Sequence, residues 1–160
     1  MYRLIRTRDD SVIAILRLML AVLFIAHGSQ KMLGLFGGPG FVASLNSFEM
    51  MGIPKGLAIL AICAEFFGGI GLAVGFLSRI AALGIMTNMA VAIALLHRHV
   101  GFFMNWDGTK MGEGFEFHLL VITMGLAILV RGAGAFSADL TLTRSMAPRV
   151  IELERPRMVA

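Results

Sequence analysis

Apolar residues fall into four long runs, at about Val12 to Leu33, Leu57 to Leu77, Ile80 to Leu96 and Glu116 to Val130, with short polar or glycine-rich stretches between them. An α-helix rises about 1.5 Å per residue, so the first run can cross a hydrocarbon core of about 30 Å. The pattern predicts an all-α integral membrane protein, a four-transmembrane-helix bundle over residues 12–131. Residues 1–11 and a tail of residues 132–160 flank it. The tail holds no further span, and its last residues are expected to be loosely ordered.

The segments between the runs carry their own signals. From Gly34 to Gly56 the chain is too short and too polar to span, opening on Gly37-Gly38-Pro39-Gly40 and closing on Gly52-Ile53-Pro54. Phe41, Leu45 and Phe48 recur there at helical spacing, which predicts a short interfacial helix on the membrane surface in the first outer loop. In the second run Ala64, Gly68, Gly71 and Gly75 repeat at intervals that let membrane helices approach closely. Asn88, in the third run, is expected to hydrogen-bond to a neighbouring helix, because an unsatisfied amide is costly in hydrocarbon. Residues 97–114 are polar and glycine-rich, with Phe102, Phe103 and Trp106 among them, and Trp106 reads as an interfacial anchor.

Composition agrees with a membrane location. Hydrophobic residues make up 58% of the 160, mean hydropathy is +0.83 and charged residues are 15%, against about 25% in soluble domains. The net charge of +4 does not point to nucleic acid, because the basic residues sit beside the apolar runs, where membrane orientation explains them. Arg3, Arg6, Arg8, Arg79, Arg131, Arg144, Arg149, Arg155 and Arg157 lie on one side, against Lys31, Lys55, Arg98 and Lys110 on the other. The positive-inside rule then places both termini in the cytoplasm. Arg17 interrupts the first run and no Ala-x-Ala site follows, so that run is expected to be a retained helix. Arg17 itself is expected either to meet Asp139 or to snorkel to water. Cys63 is the only cysteine and can form no internal disulfide. The 12 methionines are scattered and read as apolar packing.

In this topology the titratable groups gather toward the outer side. His27 ends the first span, His97 and His99 end the third, and Glu116 and His118 begin the fourth, while Glu65 lies about 12 Å into the second. A carboxylate at that depth is costly and faces the bundle interior. Glu65 either bridges to Lys31 or His27 and fixes helix register, or works as a proton-exchanging group. The candidate catalytic residues are Glu65, His27 and His97, with Lys31, Glu116, His118 and Phe102 as substrate contacts. Glu116 and His118 point about 200° apart on a helix, so at most one faces the centre unless the helix begins after His118. No HxxxH or ExxH spacing occurs, and no metal is assigned. A quinone is the suspected cofactor, since imidazole and carboxylate groups can deliver the protons its reduction takes up. Loop phenylalanines would close its pocket.

Several short stretches resemble the DoxX family of small bacterial membrane proteins. They are His27-Gly28-Ser29-Gln30-Lys31, Gly52-Ile53-Pro54, Glu65 followed by Gly68-Gly69, Gly75 then Arg79, His97 to Phe102, Gly114-Phe115-Glu116 and Gly134 to Asp139. The resemblance runs from about Arg17 to Leu140, and the positions that carry it are His27, Lys31, Glu65, Arg79, His97 and Glu116. It implies a four-helix fold in the bacterial inner membrane and an association with redox biology. One branch of the family resembles the quinone-reducing subunit of thiosulfate oxidation, and others are linked to oxidant and thiol stress. The resulting expectation is a redox-associated membrane subunit, an oxidoreductase component if it catalyses at all, that binds a quinone or similar small apolar molecule in the outer half of the bundle. The alternative is a non-catalytic anchor or assembly subunit that recruits a partner redox enzyme; a small transporter is the weaker third. Expected partners are the lipid bilayer, such an enzyme and a second copy of the chain, but not nucleic acid.

Overall fold

The computed structural model describes residues 2–154, and all regular structure among them is helical. The chain end expected to be loosely ordered, residues 155–160, lies outside the described residues. The helices are α1 (Tyr2–Ile5), α2 (Ser11–Leu33), α3 (Gly40–Met50), α4 (Lys55–Val74), α5 (Ser78–Ala92), α6 (Glu116–Arg131) and α7 (Ala138–Glu154). A π-helical turn, Ile93–His97, extends α5. Three helices, α2, α4 and α5 with its π turn, are long and apolar enough to cross a membrane. At 16 residues α6 spans about 24 Å, short of a full hydrocarbon core.

Local chemistry explains most helix ends. Asp10 caps α2, its carboxylate accepting from the Val12 and Ile13 amides at 3.0 and 3.1 Å. Helix α4 stops at Val74, three residues before the apolar run does, because Gly75 takes the left-handed conformation (φ 71°) and closes it. The start of α5 is capped from a distance: Asp139 accepts from the Leu77 and Ser78 amides, both at 3.0 Å. The short helix expected from Phe41, Leu45 and Phe48 is α3, although it buries Ser44 and Leu45 while both phenylalanines stay half-buried.

Bundle packing depends on small residues. Leu20, Phe24, Leu72, Ile85, Val121 and Ile128 form the core, while large apolar side chains such as Ile15, Leu60 and Leu83 face outward, which suits lipid. Helices α2 and α4 approach backbone to backbone. A Cβ on Gly28 would stand 2.6 Å from the Phe66 Cα, and one on Gly69 would stand 2.7 Å from the Ile25 amide nitrogen. The Ala64 and Gly68 side of α4 instead meets α5, where Ala64 Cβ lies 3.3 Å from the Cβ position of Gly84. Asn88 donates across that contact to the Ala61 carbonyl at 2.9 Å, as its depth predicts.

Arg17 corrects the sequence reading. Its side chain is fully buried, so it does not snorkel; Asp139 lies near enough to act on it through charge, but its hydrogen bonds go to carbonyls. Nε donates to Ala133, Nη1 to Leu72 and Ala73, and Nη2 to Ala135 and Phe136. All five guanidinium N–H groups are thereby used, two on the last turn of α4, where the carbonyls lack an amide four residues on.

The tail contains α7, a helix the apolar pattern does not reveal. Ser137 caps it by accepting from the Leu140 amide at 3.2 Å. Thr143 Oγ1 donates to the Ile5 carbonyl at 3.0 Å, and Thr7 Oγ1 accepts from the Gly134 amide at 2.9 Å. Residues 5–10 and 133–143 therefore meet at one end of the bundle.

Candidate functional site

The residues expected to share one outer pocket occupy distinct places. Near the end of α2, Lys31 forms an ion pair with Glu65 of α4. Glu65 is 5% exposed and Lys31 is half-buried. Of the two partners open to Glu65, the structure selects Lys31. His27, one turn earlier on α2, is exposed and makes no hydrogen bond among the described residues.

A second pair forms where α5 ends. The π turn widens the backbone at Ile93–His97, and such turns frequently occur at functional positions. Here it carries His97 over His118 of α6, with ring centroids 4.1 Å apart. His97 Nδ1 lies 2.8 Å from the Glu113 carbonyl, whereas the Nδ1 of His118 is buried and has no hydrogen-bond partner among the described residues. An imidazole left so is unusual, since buried polar atoms are nearly always paired.

Glu116 serves a third place. Its carboxylate Oε1 accepts from the Met104 amide at 3.1 Å and from Trp106 Nε1 at 3.3 Å, which holds the 98–115 loop against the start of α6. The loop closes further through the Phe115 and Glu116 amides, which donate to Gly101 and Phe102 at 3.2 and 3.0 Å. Only glycine fits at position 114, because a Cβ there would stand 2.2 Å from the Phe103 carbonyl oxygen. Between loop and helix lies a groove of about 430 Å³, lined by Phe102, Met104, Trp106, Glu116, Phe117, Leu119, Leu120 and Thr123. Since α6 begins at Glu116, the two-residue spacing has its expected effect: His118 turns inward and Glu116 outward.

No hydrogen bond or ion pair among the described residues joins the Lys31–Glu65 pair, the histidine pair and the groove. Nor do three or more His, Cys, Asp or Glu side chains gather as a metal-binding group among them. Arg79, which the family resemblance singles out, lies at the other end of the bundle. Its guanidinium donates to the carbonyls of Leu4, Arg6, Leu129 and Val130. The sequence reading missed Glu113, whose side chain also accepts from the Asn105 amide at 2.8 Å, and Met104. Neither sits in a periodic segment, and loop geometry alone brings them in.

Over 140 residues the chain is 27% identical to inner membrane protein YqjF of Escherichia coli (strain K12), covering 85% of this chain and 95% of that protein. No solved structure matches. The DoxX sequence profile matches residues 12–98, from the start of the first apolar helix through the π turn that carries His97, and the chain belongs to the DoxX family.

Proposed function

We propose that the chain is a four-span protein of the bacterial inner membrane that holds a quinone, or a similar small apolar ring, in the groove between α6 and the 98–115 loop. The observation that carries this reading is the groove itself: aromatic and aliphatic walls around one carboxylate, at a size of about 430 Å³ that suits a small-molecule site. The residues present fit such a ring. Phe102, Phe117 and Leu120 offer apolar contact, and while Oε1 of Glu116 holds the loop, Oε2 is placed to accept from a quinol hydroxyl or, when protonated, to donate to a quinone carbonyl.

A bound quinone would supply the redox chemistry. The chain orients the ring, excludes water and offers Glu116 as a group that exchanges protons with it, giving one on reduction and taking one on oxidation, with His118, under His97, on the inward side of the same helix. Under this reading the proton-handling role expected of Glu65 and His27 passes to these groups, and the Lys31–Glu65 pair fixes α2 against α4. Four crossings fit because Arg79, at the start of α5, bonds to the last carbonyls of α6, so α6 runs back antiparallel beside α5. The arginine-rich end then faces the cytoplasm, and α3 lies on the outer membrane surface.

Photolabelling of the protein in native membranes with an azido-quinone tests the proposal. Label should fall within residues 102–123, saturate with added quinone, and drop about tenfold in Leu120→Trp, a loss of about 1.4 kcal/mol in binding. Label spread evenly over the helices, or unchanged in that variant, would sink it. A second reading, an anchor for a partner enzyme, draws support from Trp106 and Met111, 84% and 100% exposed on the same loop. A stoichiometric partner released by loop substitutions, with no saturable label, would favour it.

A further inference from the structure

At the end of the bundle opposite the groove, a cavity of about 550 Å³ is lined by Arg6, Thr7, Arg8, Arg79, Val130 and Arg131. Four guanidinium groups on one cavity repel each other, and none of the lining residues is a carboxylate. The nearby acids have their hydrogen bonds elsewhere, and of them Asp139 balances part of the Arg79 charge. Asp9 pairs with Arg144 at 2.7 Å, Asp10 caps α2, and Asp139 caps α5.

The arginines play different parts. Arg79 is tied to four backbone carbonyls and contributes its charge to the cavity from a fixed position. Arg6, Arg8 and Arg131 are exposed, and their side chains make no hydrogen bond among the described residues. Guanidinium groups present paired N–H donors that match phosphate oxygens. Val130 in the lining is 67% exposed, and outside it Leu4, whose carbonyl accepts from Arg79, and Ile80, the residue after Arg79, are 47% and 50% exposed.

We infer that this cavity is a binding site for the phosphate of an anionic phospholipid, whose acyl chains would lie along the exposed apolar surface beside Val130 and Ile80. A soluble anion would use the charge but leave that skirt without a role, whereas a lipid uses both. Basic pockets between membrane helices recognise such headgroups, and each basic residue contributes on the order of fivefold in affinity. The site is distinct from the groove on α6 and does not depend on what that groove binds.

The test uses the full chain, purified and delipidated in mild detergent, then mixed with phosphatidylglycerol, phosphatidylcholine or inorganic phosphate. Native mass spectrometry reads retained lipid and a thermal melt reads stability. Phosphatidylglycerol should bind at least tenfold more tightly than phosphatidylcholine and raise Tm, with the preference falling as sodium chloride rises. Arg6→Gln/Arg8→Gln/Arg131→Gln should keep the wild-type Tm in phosphatidylcholine and lose the preference. Should that variant fail to fold, Arg8→Gln and Arg131→Gln singly should each weaken phosphatidylglycerol roughly fivefold. Equal binding of the two lipids, a preference that survives the substitutions, or full protection by inorganic phosphate alone would overturn the assignment.

Discussion

Arg17 shows how much one buried charge can organise. With no carboxylate hydrogen-bonded to it, the guanidinium is held by five carbonyls from α4 and from residues 133–136. Hydrogen bonds to charged groups contribute about 1.5–3 kcal/mol each, and leaving buried acceptors bare costs about as much. Arg17→Gln should therefore lose about 3 kcal/mol or more, roughly 6–12 °C in Tm for a chain of this size. Arg17→Lys, with three donors in place of five, should fall between the two. Melting curves by circular dichroism in detergent would show it, and a Tm for Arg17→Gln equal to wild type would contradict the account. Nothing in the sequence marks these acceptors, because every residue carries a carbonyl and only folding decides which ones converge. Glu65 was easier to read: a carboxylate in an apolar run needs a partner, and a lysine on the neighbouring helix at similar depth was one of two candidates.

At the scale of elements, the apolar runs located the long helices within a few residues, since length and hydropathy are what a bilayer selects. What they could not show was local backbone chemistry. The π turn at Ile93–His97 reads as ordinary helix in any periodic pattern, yet it brings His97 over His118. Likewise α7 has no apolar run, and only Ser137 hints at its start. The spacing of Ala64, Gly68, Gly71 and Gly75 marks close approach in the sequence, but not the partner helix and not Gly28 and Gly69: these two make the α2–α4 contact while Gly68 and Gly84 serve α4 and α5. Gly28→Ala and Gly69→Ala should each cost about 1–3 kcal/mol, because the added Cβ meets backbone and not a flexible side-chain end. Gly56→Ala, where a Cβ meets nothing within 4 Å, is the control and should be neutral or slightly stabilising. Thermal melts of the three variants side by side would decide, and equal Tm values would remove the close-approach argument.

For the whole molecule the central question is how many times the chain crosses. Three helices qualify on length and composition, and α6 reaches a full crossing only if the bilayer thins slightly or its flanks share the work, both of which cost little. Cysteines placed in a Cys63→Ser background at Asn46, Thr109 and Arg144, all exposed, would report sidedness. An impermeant maleimide should label the first two in intact spheroplasts and Arg144→Cys only after lysis. Labelling of Thr109→Cys and Arg144→Cys from the same side would exclude the fourth crossing. The sequence placed most of the site residues at one depth but could not say whether they meet. Depth follows from counting residues along a helix, whereas convergence depends on helix rotation, which the 98–115 loop and the π turn set.

Arg17 and its acceptors also impose an order on biosynthesis. The guanidinium leaves the ribosome early, while Ala133, Ala135 and Phe136 are separated from it by 116 to 119 residues of chain. Until that late segment is made, the first helix enters the bilayer with at most the α4 carbonyls to satisfy a charge built for five. It must wait near water or the insertion machinery until the segment that completes its shell, more than a hundred residues downstream, follows.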